Sequence, residues 1–386
     1  MAKSKSTADQ NMIECNTEQA ARLLQVAFLA KRPVMLWGSP GIGKSGLLKT
    51  IAKAQNRHLI DYRLLLKDLS DMKGIPYYNQ SKDALEMFYD PTLPNEAIDN
   101  PRLNNSILVF EELNAAPPTI QAATYQIILD RYCGNLKIPD GVDIVACGNL
   151  ETDKGVTFNM PTPLRNRLLH ILVRVDSEAW ENWAFGAKIH KHVLSYVMAN
   201  KSRLYQFDPS TGEKAFATPR TWEYVSDLLY AAEKMGMTLD KNREEVRNLI
   251  GSAVGEGTAI ELLRHITVAA KLPRIGDILS GKVKAIPKGL DDISAHYSLG
   301  IEMIYAFNTL AEECGNSDTK KNNLDTEFEN AFVFMESGFS EELTFMTLTK
   351  MLNDGEVLCY ITLDDTTSPA FGRFMEKFSK LVNINR

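Results

Sequence analysis

The sequence predicts an α/β fold with a parallel sheet flanked by helices, followed by an α-helical domain and a mostly helical C-terminal region. Three observations lead to this prediction. A glycine-rich loop follows a short apolar run and precedes a helical pattern. Further short apolar runs alternate with helical patterns, as in a parallel sheet covered on both faces. Beyond residue 176 no clear strand pattern continues, and helical spacing dominates as far as residue 272.

Five short apolar runs are predicted to be the strands of the sheet. A helix over Thr17–Leu29, with Thr17 as its N-cap, is predicted before the first strand, and a helix over Thr119–Arg131 after the third. The predicted strands are Pro33–Trp37, His58–Leu64, Ile107–Phe110, Asp143–Cys147 and Ile171–Val175.

The 386 residues are enough for two or three domains. Changes in composition and periodicity place the boundaries between them. The C-terminal region is expected to contain a polar loop at 315–323 and a short strand at 358–363. The predicted parts are a polar tail (1–11), an α/β domain (12–176), a helical lid domain (177–272), a Gly-, Pro- and Lys-containing connector (273–289) and a mostly helical C-terminal region (290–386).

The composition excludes several classes of protein. Hydrophobic residues make up 44% and charged residues 24% of the chain, which is ordinary for a soluble protein. The net charge of −6 argues against a direct nucleic-acid ligand, because such surfaces carry basic patches. The five cysteines are scattered without a C-x-x-C pair, which argues against a disulfide scaffold or zinc site. No apolar run reaches the ~18–20 residues of a membrane span, and no signal segment is visible, so a cytoplasmic location is expected.

The segment Gly38–Ser45 fits the phosphate-binding pattern G-x-x-x-x-G-K-[ST] without a mismatch. Glycines at these positions let backbone N–H groups surround a polyphosphate, and the following helix points its positive end at the same anion. Lys44 is predicted to reach the β- and γ-phosphates, and the Ser45 hydroxyl to bind Mg²⁺. The predicted phosphate-binding residues are Gly38, Ser39, Pro40, Gly41, Ile42, Gly43, Lys44 and Ser45.

The apolar run Ile107–Phe110 ends in two carboxylates, Glu111 and Glu112. In a sheet with a phosphate loop, the carboxyl ends of the strands face the bound nucleotide. Glu111 is therefore predicted to hold the metal, and Glu112 to orient or deprotonate the attacking water. The alternative is two solvated glutamates after a core strand, and the phosphate loop upstream favours the catalytic interpretation.

Other polar residues are candidates to complete this site. Asn149, which follows the fourth strand through a glycine, is predicted to hold the water from the side opposite Glu112, although Gly-Asn is also a common turn. Arg165 and Arg167 are candidates for an arginine inserted into the site of a neighbouring subunit, with a surface salt bridge as the alternative. Arg220 is predicted at the start of a helix, where it could reach the γ-phosphate.

These segments, in this order, resemble the MoxR family of AAA+ ATPases, within the dynein-related AAA_5-like branch and its bacterial or phage members. The resemblance covers about residues 15–272. It is carried by the words WGSPGIGKS, DLSDMKGIP, VFEELNAAPPTIQAATYQIILDR, ACGNLE, MPTPLRNRL and ATPRTW.

The resemblance implies an ATPase that uses ATP and Mg²⁺, forms a hexameric ring and remodels partner proteins in a chaperone-like way. Such proteins are often encoded beside von Willebrand A-domain proteins, which implies a partner of that kind. The implied roles are Walker A for Gly38–Ser45, Walker B for Glu111 and Glu112, sensor 1 for Asn149, sensor 2 for Arg220, and the finger for Arg167 with Arg165 as its neighbour.

The chain departs from the family pattern at several positions. Glu111 replaces the usual aspartate of Walker B, and Ala115 replaces an arginine that commonly follows the Asn-containing word. Residues after about 290 match only the tails of uncharacterised members. Residues 71–104 are expected to form a hairpin or loop insertion, with Tyr77 and Tyr78 either contacting a partner or folded down on the core.

Two other functions stay open on the sequence. The ring could be the motor subunit of a nucleic-acid enzyme, although the chain shows neither a nuclease motif nor a basic stretch. It could also be a nucleotide-gated scaffold with little turnover, to which Glu111 gives some weight. The preference for ATP over GTP rests on the resemblance alone.

Overall fold

The computed structural model describes residues 12–96, 100–153, 155, 157–287, 292–314, 318–354, 372, 373 and 376. The predicted tail (1–11) and the predicted strand at 358–363 lie outside these residues. The chain divides into two compact units. The first contains the residues up to Ala179 together with Phe207–Glu213, and the second contains Trp180–Gln206 and the residues from Lys214 onward.

The described strands belong to three sheets. The largest is a six-stranded parallel sheet in the first unit, with the order β1-β10-β2-β9-β6-β3. The strands are β1 (Ile13–Cys15), β2 (Val34–Trp37), β3 (His58–Arg63), β4 (Ile75–Asn79), β5 (Ala84–Phe88), β6 (Ser106–Glu111), β7 (Tyr132–Cys133), β8 (Leu136–Lys137), β9 (Asp143–Gly148) and β10 (Leu169–Val173).

Helices cover the sheet and make up most of the second unit. The first unit holds the helices up to α6, and α7 lies at the boundary between the units. The helices are α1 (Thr17–Leu29), α2 (Lys44–Ala54), α3 (Leu69–Lys73), α4 (Pro101–Asn104), α5 (Pro118–Asp130), α6 (Thr162–Arg165), α7 (Ser177–Gly186), α8 (Lys191–Ala199), α9 (Pro219–Lys234), α10 (Leu239–Val254), α11 (Glu256–Ala269), α12 (Ile275–Leu279), α13 (Ile293–Cys314), α14 (Asp318–Glu336) and α15 (Glu341–Asp354).

The five predicted strands are confirmed as β2, β3, β6, β9 and β10. Strands β6 and β9 are buried along almost their whole length, as expected for interior strands of a parallel sheet. The sixth strand, β1, was not predicted. It pairs in parallel with β10, from Ile13 opposite Ile171 to Cys15 opposite Val173. A strand of three residues has too little pattern to be recognised before its partner is known.

The prediction that Thr17 caps the first helix is wrong by one residue. Asn16 is the N-cap of α1, because its Oδ1 accepts a hydrogen bond from the backbone N–H of Gln19 (2.8 Å). The Gln19 side chain accepts in return from the backbone N–H of Asn16 (3.1 Å), which completes a capping box. Asn is a stronger N-cap than Thr, so the cap lies on Asn16 and Thr17 becomes the first helical residue.

The predicted hairpin is confirmed as the antiparallel pair β4 and β5. A salt bridge, a hydrogen bond and packing hold the base of the hairpin against the rest of the first unit. Asp90, just after β5, is bound by Lys67 Nζ (2.6 Å) and by the Tyr62 hydroxyl of β3 (3.1 Å). Tyr89 packs closely against Gly74 and Gly134, where a Cβ would lie 3.1 Å and 2.7 Å from its ring.

The second unit is helical in its described residues, as predicted, but two expectations within it need correction. The segment predicted as a connector contains α12, whose Ile278 and Leu279 are buried. The polar loop predicted at 315–323 is helical from Asp318 onward, as the start of α14. Leu324 and Phe328 are buried one turn apart in that helix, and this packing outweighs the polar residues before them. None of the described helices combines the length and apolar character needed to cross a membrane.

A buried histidine joins three helices of the second unit. His265 of α11 is hydrogen-bonded through Nε2 to Ser195 of α8 (2.7 Å) and Ser298 of α13 (3.1 Å). Its Nδ1 is bonded to the hydroxyl of Ser294. Burial lowers the pKa of His265 to about 4, so the ring is neutral at pH 7 and the hydroxyl groups satisfy it without a charge.

We expect His265→Gln to remove part of the acid sensitivity of the chain. A histidine whose folded pKa lies below its unfolded value stabilises the fold above pH 6.5, and this contribution is lost as the pH falls towards 4. Glutamine keeps a donor and an acceptor but does not titrate. Between pH 6.5 and pH 4, the free energy of unfolding should therefore fall by about 3 kcal/mol more in the wild type than in the variant. Urea unfolding at several pH values measures this, and parallel pH curves for the two proteins would contradict it.

Candidate functional site

The phosphate loop runs from the carboxyl end of β2 into α2. Gly43 precedes the helix with φ 99°, a left-handed conformation that favours glycine. The buried side chain of Ile42 anchors the loop to the core. Lys44 Nζ lies over the loop and donates to the backbone oxygens of Gly38 (2.5 Å) and Ser39 (3.2 Å). The Lys44 ammonium group therefore contacts the backbone of the loop.

Side-chain hydrogen bonds connect the loop to the ends of β6 and β9. Ser45 Oγ donates to Glu111 Oε1 at the end of β6 (2.6 Å). Lys44 Nζ donates to Asn149 Oδ1, just after β9 (3.1 Å). Strand β9 lies between β2 and β6, so the three strands end side by side. The structure therefore brings together the loop, the first glutamate and the asparagine that the sequence singled out.

The second glutamate lies where the chain turns sharply out of the sheet. Glu112 has a left-handed backbone conformation (φ 58°, ψ 38°), which costs of order 1–3 kcal/mol in a residue other than glycine. Its carbonyl oxygen accepts from the backbone N–H of Ala115 (2.9 Å), which closes a short turn over Leu113–Ala115. The turn leaves the Glu112 side chain exposed at the strand end, beside the half-buried Glu111.

Asn114 holds this turn against the end of β9. Its side-chain N–H donates to the backbone oxygen of Asn149 (2.8 Å), and its backbone oxygen accepts from the backbone N–H of Phe158 (2.7 Å). Gly148 permits the approach, because a Cβ there would lie 2.6 Å from Asn114 Oδ1 and 2.4 Å from Met35 Cε. The positions of Glu112 and Asn149 therefore depend on one shared contact.

An ion pair at the end of β3 adjoins the glutamates and was not predicted to belong to the site. Arg63 Nε and Nη2 both donate to Asp61 Oδ2 (3.1 and 3.0 Å). Arg63 lies opposite Glu111 in the parallel register. Asp61 raises the pKa of Arg63, and the charges of Glu111 and Glu112 act in the same direction. In the sequence, the only sign of this ion pair was the presence of opposite charges, Asp61 and Arg63, near the end of the predicted strand His58–Leu64.

Asp153 is a second contact that the sequence analysis missed. Its Oδ1 accepts from the hydroxyl of Ser39 in the phosphate loop (2.9 Å), and its Oδ2 accepts from the N–H of Leu150 (3.2 Å). The carboxylate thus joins the loop to the turn after β9. No local pattern marks this residue, because its partner lies 114 positions earlier in the chain.

The structure does not bring Arg165 or Arg167 to the phosphate loop of the same chain. Both precede β10, at the amino end of the sheet, whereas the loop lies at the carboxyl end. Arg165 is exposed and donates to the Thr162 hydroxyl (3.1 Å). The Arg167 guanidinium donates to Pro163 O (2.7 Å) and lies 4.9 Å from the centre of the Tyr125 ring.

Arg220 lies in the second unit, at the start of α9. The predicted cap is confirmed, because Thr218 Oγ1 accepts from the backbone N–H of Thr221 (3.1 Å) and Pro219 is the first helical residue. Thr218 and Pro219 are buried and the Arg220 side chain is exposed. The helix start is thus held firmly while the guanidinium remains accessible.

The donor set suits Mg²⁺ and a polyphosphate. Ser45 and Glu111 offer hydroxyl and carboxylate oxygens, which are the hard ligands that Mg²⁺ prefers. Mg²⁺ at phosphate sites takes only one or two protein ligands besides water and phosphate. Among the residues that the structure describes, no cluster of three or more His, Cys, Asp or Glu that could hold a metal occurs.

Comparisons with known proteins add only broad similarity. No family model matches the chain. Midasin of Giardia intestinalis is 24% identical over 187 residues, which are 45% of this chain and only 4% of midasin. A candidate ATPase from Cytophaga hutchinsonii is 15% identical over 96% of this chain and 90% of its own, with a TM-score of 0.32. A mutant of RuvB from Thermotoga maritima is 14% identical over 65% and 70% of the two chains, with a TM-score of 0.35.

The first unit has the fold of a P-loop AAA+ core. Its sheet has the phosphate loop after the central strand β2. Strand β9 lies next to β2, and β6, which ends in the glutamates, lies next to β9.

Gly148→Ala is expected to destabilise the first unit by about 1–3 kcal/mol, because the added methyl group would overlap Met35 and Asn114. Gly46→Ala in α2 is a matched control, since nothing lies within 4 Å of its Cβ position and alanine favours a helix by up to about 1 kcal/mol. Denaturant unfolding measures both. Equal stability of the two variants would show that the contact between the turns is not tight.

Proposed function

We propose that the chain is a MoxR-like AAA+ ATPase that hydrolyses ATP at the subunit interfaces of a ring to drive remodelling or assembly of a partner protein. One observation carries the proposal. The phosphate-loop residues Lys44 and Ser45 are hydrogen-bonded to Asn149 (3.1 Å) and Glu111 (2.6 Å), at the edge of the sheet where Glu112 is exposed.

The chain's own residues divide the work of phosphoryl transfer. Bound Mg²⁺ would supply positive charge that neutralises the phosphate oxygens. Ser45 and Glu111 would hold the metal, and Lys44 would exchange its backbone partners for phosphate oxygens. Glu112 would accept the proton of the attacking water, and Asn149 would hold that water from the other side. The turn that Asn114 anchors keeps these last two groups in place before nucleotide binds.

The geometry favours turnover over a nucleotide-gated scaffold. The Glu111 side chain is one methylene longer than the usual aspartate. Its carboxylate nevertheless accepts a hydrogen bond from Ser45 Oγ (2.6 Å), so the longer side chain is compatible with the contact between loop and strand. Glu112 occupies a strained backbone conformation that exposes its carboxylate beside the loop. Strain of this kind is typical of positions that serve catalysis.

The position of the arginines supports a ring. Arg165 and Arg167 lie at the amino end of the sheet, so within one chain they cannot complete the site at the carboxyl end. Head-to-tail association would place them at the site of the next chain, and such association gives a ring when the rotation between successive subunits closes. The number of six subunits is supported by the resemblance to the MoxR family. Arg220 would couple the second unit to the nucleotide through its exposed guanidinium.

We place the contact with the partner protein on the β4–β5 hairpin. Tyr77 and Tyr78 are 43% and 57% exposed, and Leu85 and Phe88 are 73% and 63% exposed, so apolar groups cover the hairpin without being buried. Glu86 accepts hydrogen bonds from Tyr77, Asn79 and Lys82, which lower its pKa to about 2 and stiffen the hairpin. A partner of the von Willebrand A-domain type is supported by the resemblance alone.

Steady-state phosphate release tests the assignment of the residues. The wild type is expected to hydrolyse ATP with a specific activity that rises with protein concentration as chains associate. Lys44→Ala should abolish activity, and Glu112→Gln should lower the rate about 10²–10⁴-fold by removing the base. The Glu112→Gln protein should still bind ATP. Undiminished hydrolysis in Glu112→Gln would contradict the role of this residue as the base.

Mixing two inactive proteins tests whether the site is shared. Arg167→Ala is expected to lower the rate about 10³-fold or more. An equal mixture of Arg167→Ala and Glu112→Gln should regain activity, because roughly a quarter of randomly formed interfaces combine an intact site with an intact arginine. The same mixture with Arg165→Ala shows which arginine acts. If neither mixture regains activity, a site shared between subunits is excluded. An ATPase rate that DNA raises and a protein partner does not would favour the nucleic-acid motor.

A further inference from the structure

A cavity lies in the first unit, at the amino edge of the sheet, whereas the phosphate loop lies at the carboxyl edge. Its volume is about 490 Å³, within the range of ~300–1,000 Å³ that is usual for small-molecule sites. The residues at its wall include Pro33 before β2, Asp143 at the start of β9 and Leu169 at the start of β10. All of them belong to the first unit, so one chain forms the cavity by itself.

The wall of this amino-edge cavity is strongly cationic although the chain carries a net charge of −6. It contains Lys31, Arg32, Arg131 and Arg167 against a single carboxylate, Asp143. That carboxylate already has partners, because Asp143 Oδ2 is 2.7 Å from Arg57 Nη1 and its Oδ1 is 3.6 Å from Lys31 Nζ. Asp140, outside the wall, also acts on the charge of Arg131. The four cations of the wall still outnumber these two carboxylates, one of which is shared with Arg57.

The guanidinium groups keep donors that the described protein atoms do not use. Arg131 binds Pro139 O (2.6 Å) and Val142 O (2.8 Å) through Nη2, and Arg167 binds Pro163 O (2.7 Å) through Nη1. Burial lowers the pKa of Arg131, which shows that its charge is poorly solvated. An anion is the ligand that compensates such charges, and phosphate oxygens match the fork of a guanidinium.

We propose that the amino-edge cavity is a second anion site, which binds the diphosphate or triphosphate group of a nucleotide or of an inorganic polyphosphate. The cations hold the phosphate oxygens. Ile128, Ile144 and Leu168 form the apolar part of the wall, against which a base could pack. The proposal does not depend on ATP hydrolysis at the phosphate loop, since it concerns another edge of the sheet.

Calorimetric titration of the full-length Lys44→Ala protein with pyrophosphate tests this site while the phosphate loop is impaired. One site per chain is expected, with binding that weakens at high salt because screening reduces charge attraction. Adding Lys31→Gln and Arg32→Gln should weaken it about tenfold or more, since both substitutions remove a positive charge from the wall of the cavity. The control adds Arg22→Gln and Lys49→Gln, which remove the same charge from exposed helix positions outside the cavity and should leave binding unchanged.

The other outcomes are equally decisive. Absence of binding to Lys44→Ala, or equal weakening by the cavity and control substitutions, would overturn the proposal and leave the cations to neutralise the carboxyl ends of α1 and α5. A parallel titration with ADP identifies the source of the phosphate. Tighter binding of ADP than of pyrophosphate points to a nucleotide that uses the apolar wall, and equal binding points to the phosphate group alone.

Discussion

The hydrogen bond between Ser45 and Glu111 joins the phosphate loop to the end of β6, a strand that is not adjacent to β2, which precedes the loop. Strands β2 and β6 are separated by β9, and adjacent strands lie about 4.8 Å apart, so the loop and the acidic strand end are roughly 10 Å apart. Only side chains at the shared carboxyl edge can cross that distance. Asn149, which directly follows β9, accepts a hydrogen bond from Lys44 and so lies between the loop and the end of β6. A shift of one residue in the register of β6 would turn Glu111 to the other face and separate these groups.

The turns behind the edge hold these groups in place. Glu112 is exposed because its backbone is left-handed, and that conformation persists because Asn114, two residues later, is fixed to the backbone of Asn149. Gly148 leaves the space that this contact needs. Strain at one residue is thus offset by hydrogen bonds and packing at its neighbours, which is how a strained site is maintained in a stable domain.

The sequence allowed the sheet, the phosphate loop and the strand-end glutamates to be predicted, because each signal lies within a few consecutive residues. Arg63 and Asp153 could not be assigned to the site in this way. Arg63 is brought opposite Glu111 only by the register of β3 against β6. The partner of Asp153 in the phosphate loop, Ser39, lies 114 positions earlier in the chain. The same reason hides β1, which has no pattern without β10. The start of α14 was missed because burial of Leu324 outweighs the polar residues before it.

The proposed ring and the proposed anion site both involve Arg167, at the amino edge of the sheet. Arg167 lines the cavity, and its guanidinium is held by Pro163 O and by the Tyr125 ring. To reach a neighbouring chain it would have to leave a cation–π contact that is worth about 0.5–1 kcal/mol. An anion bound in the cavity would hold Arg167 more firmly and so oppose its contact with the next subunit. By linkage, subunit assembly through Arg167 would weaken anion binding to the same extent. The Arg165 guanidinium lies under no such restraint, because its described contact is a single exposed hydrogen bond to the Thr162 hydroxyl. If both proposals hold, Arg165 is the arginine that is free to act between subunits while the cavity is filled.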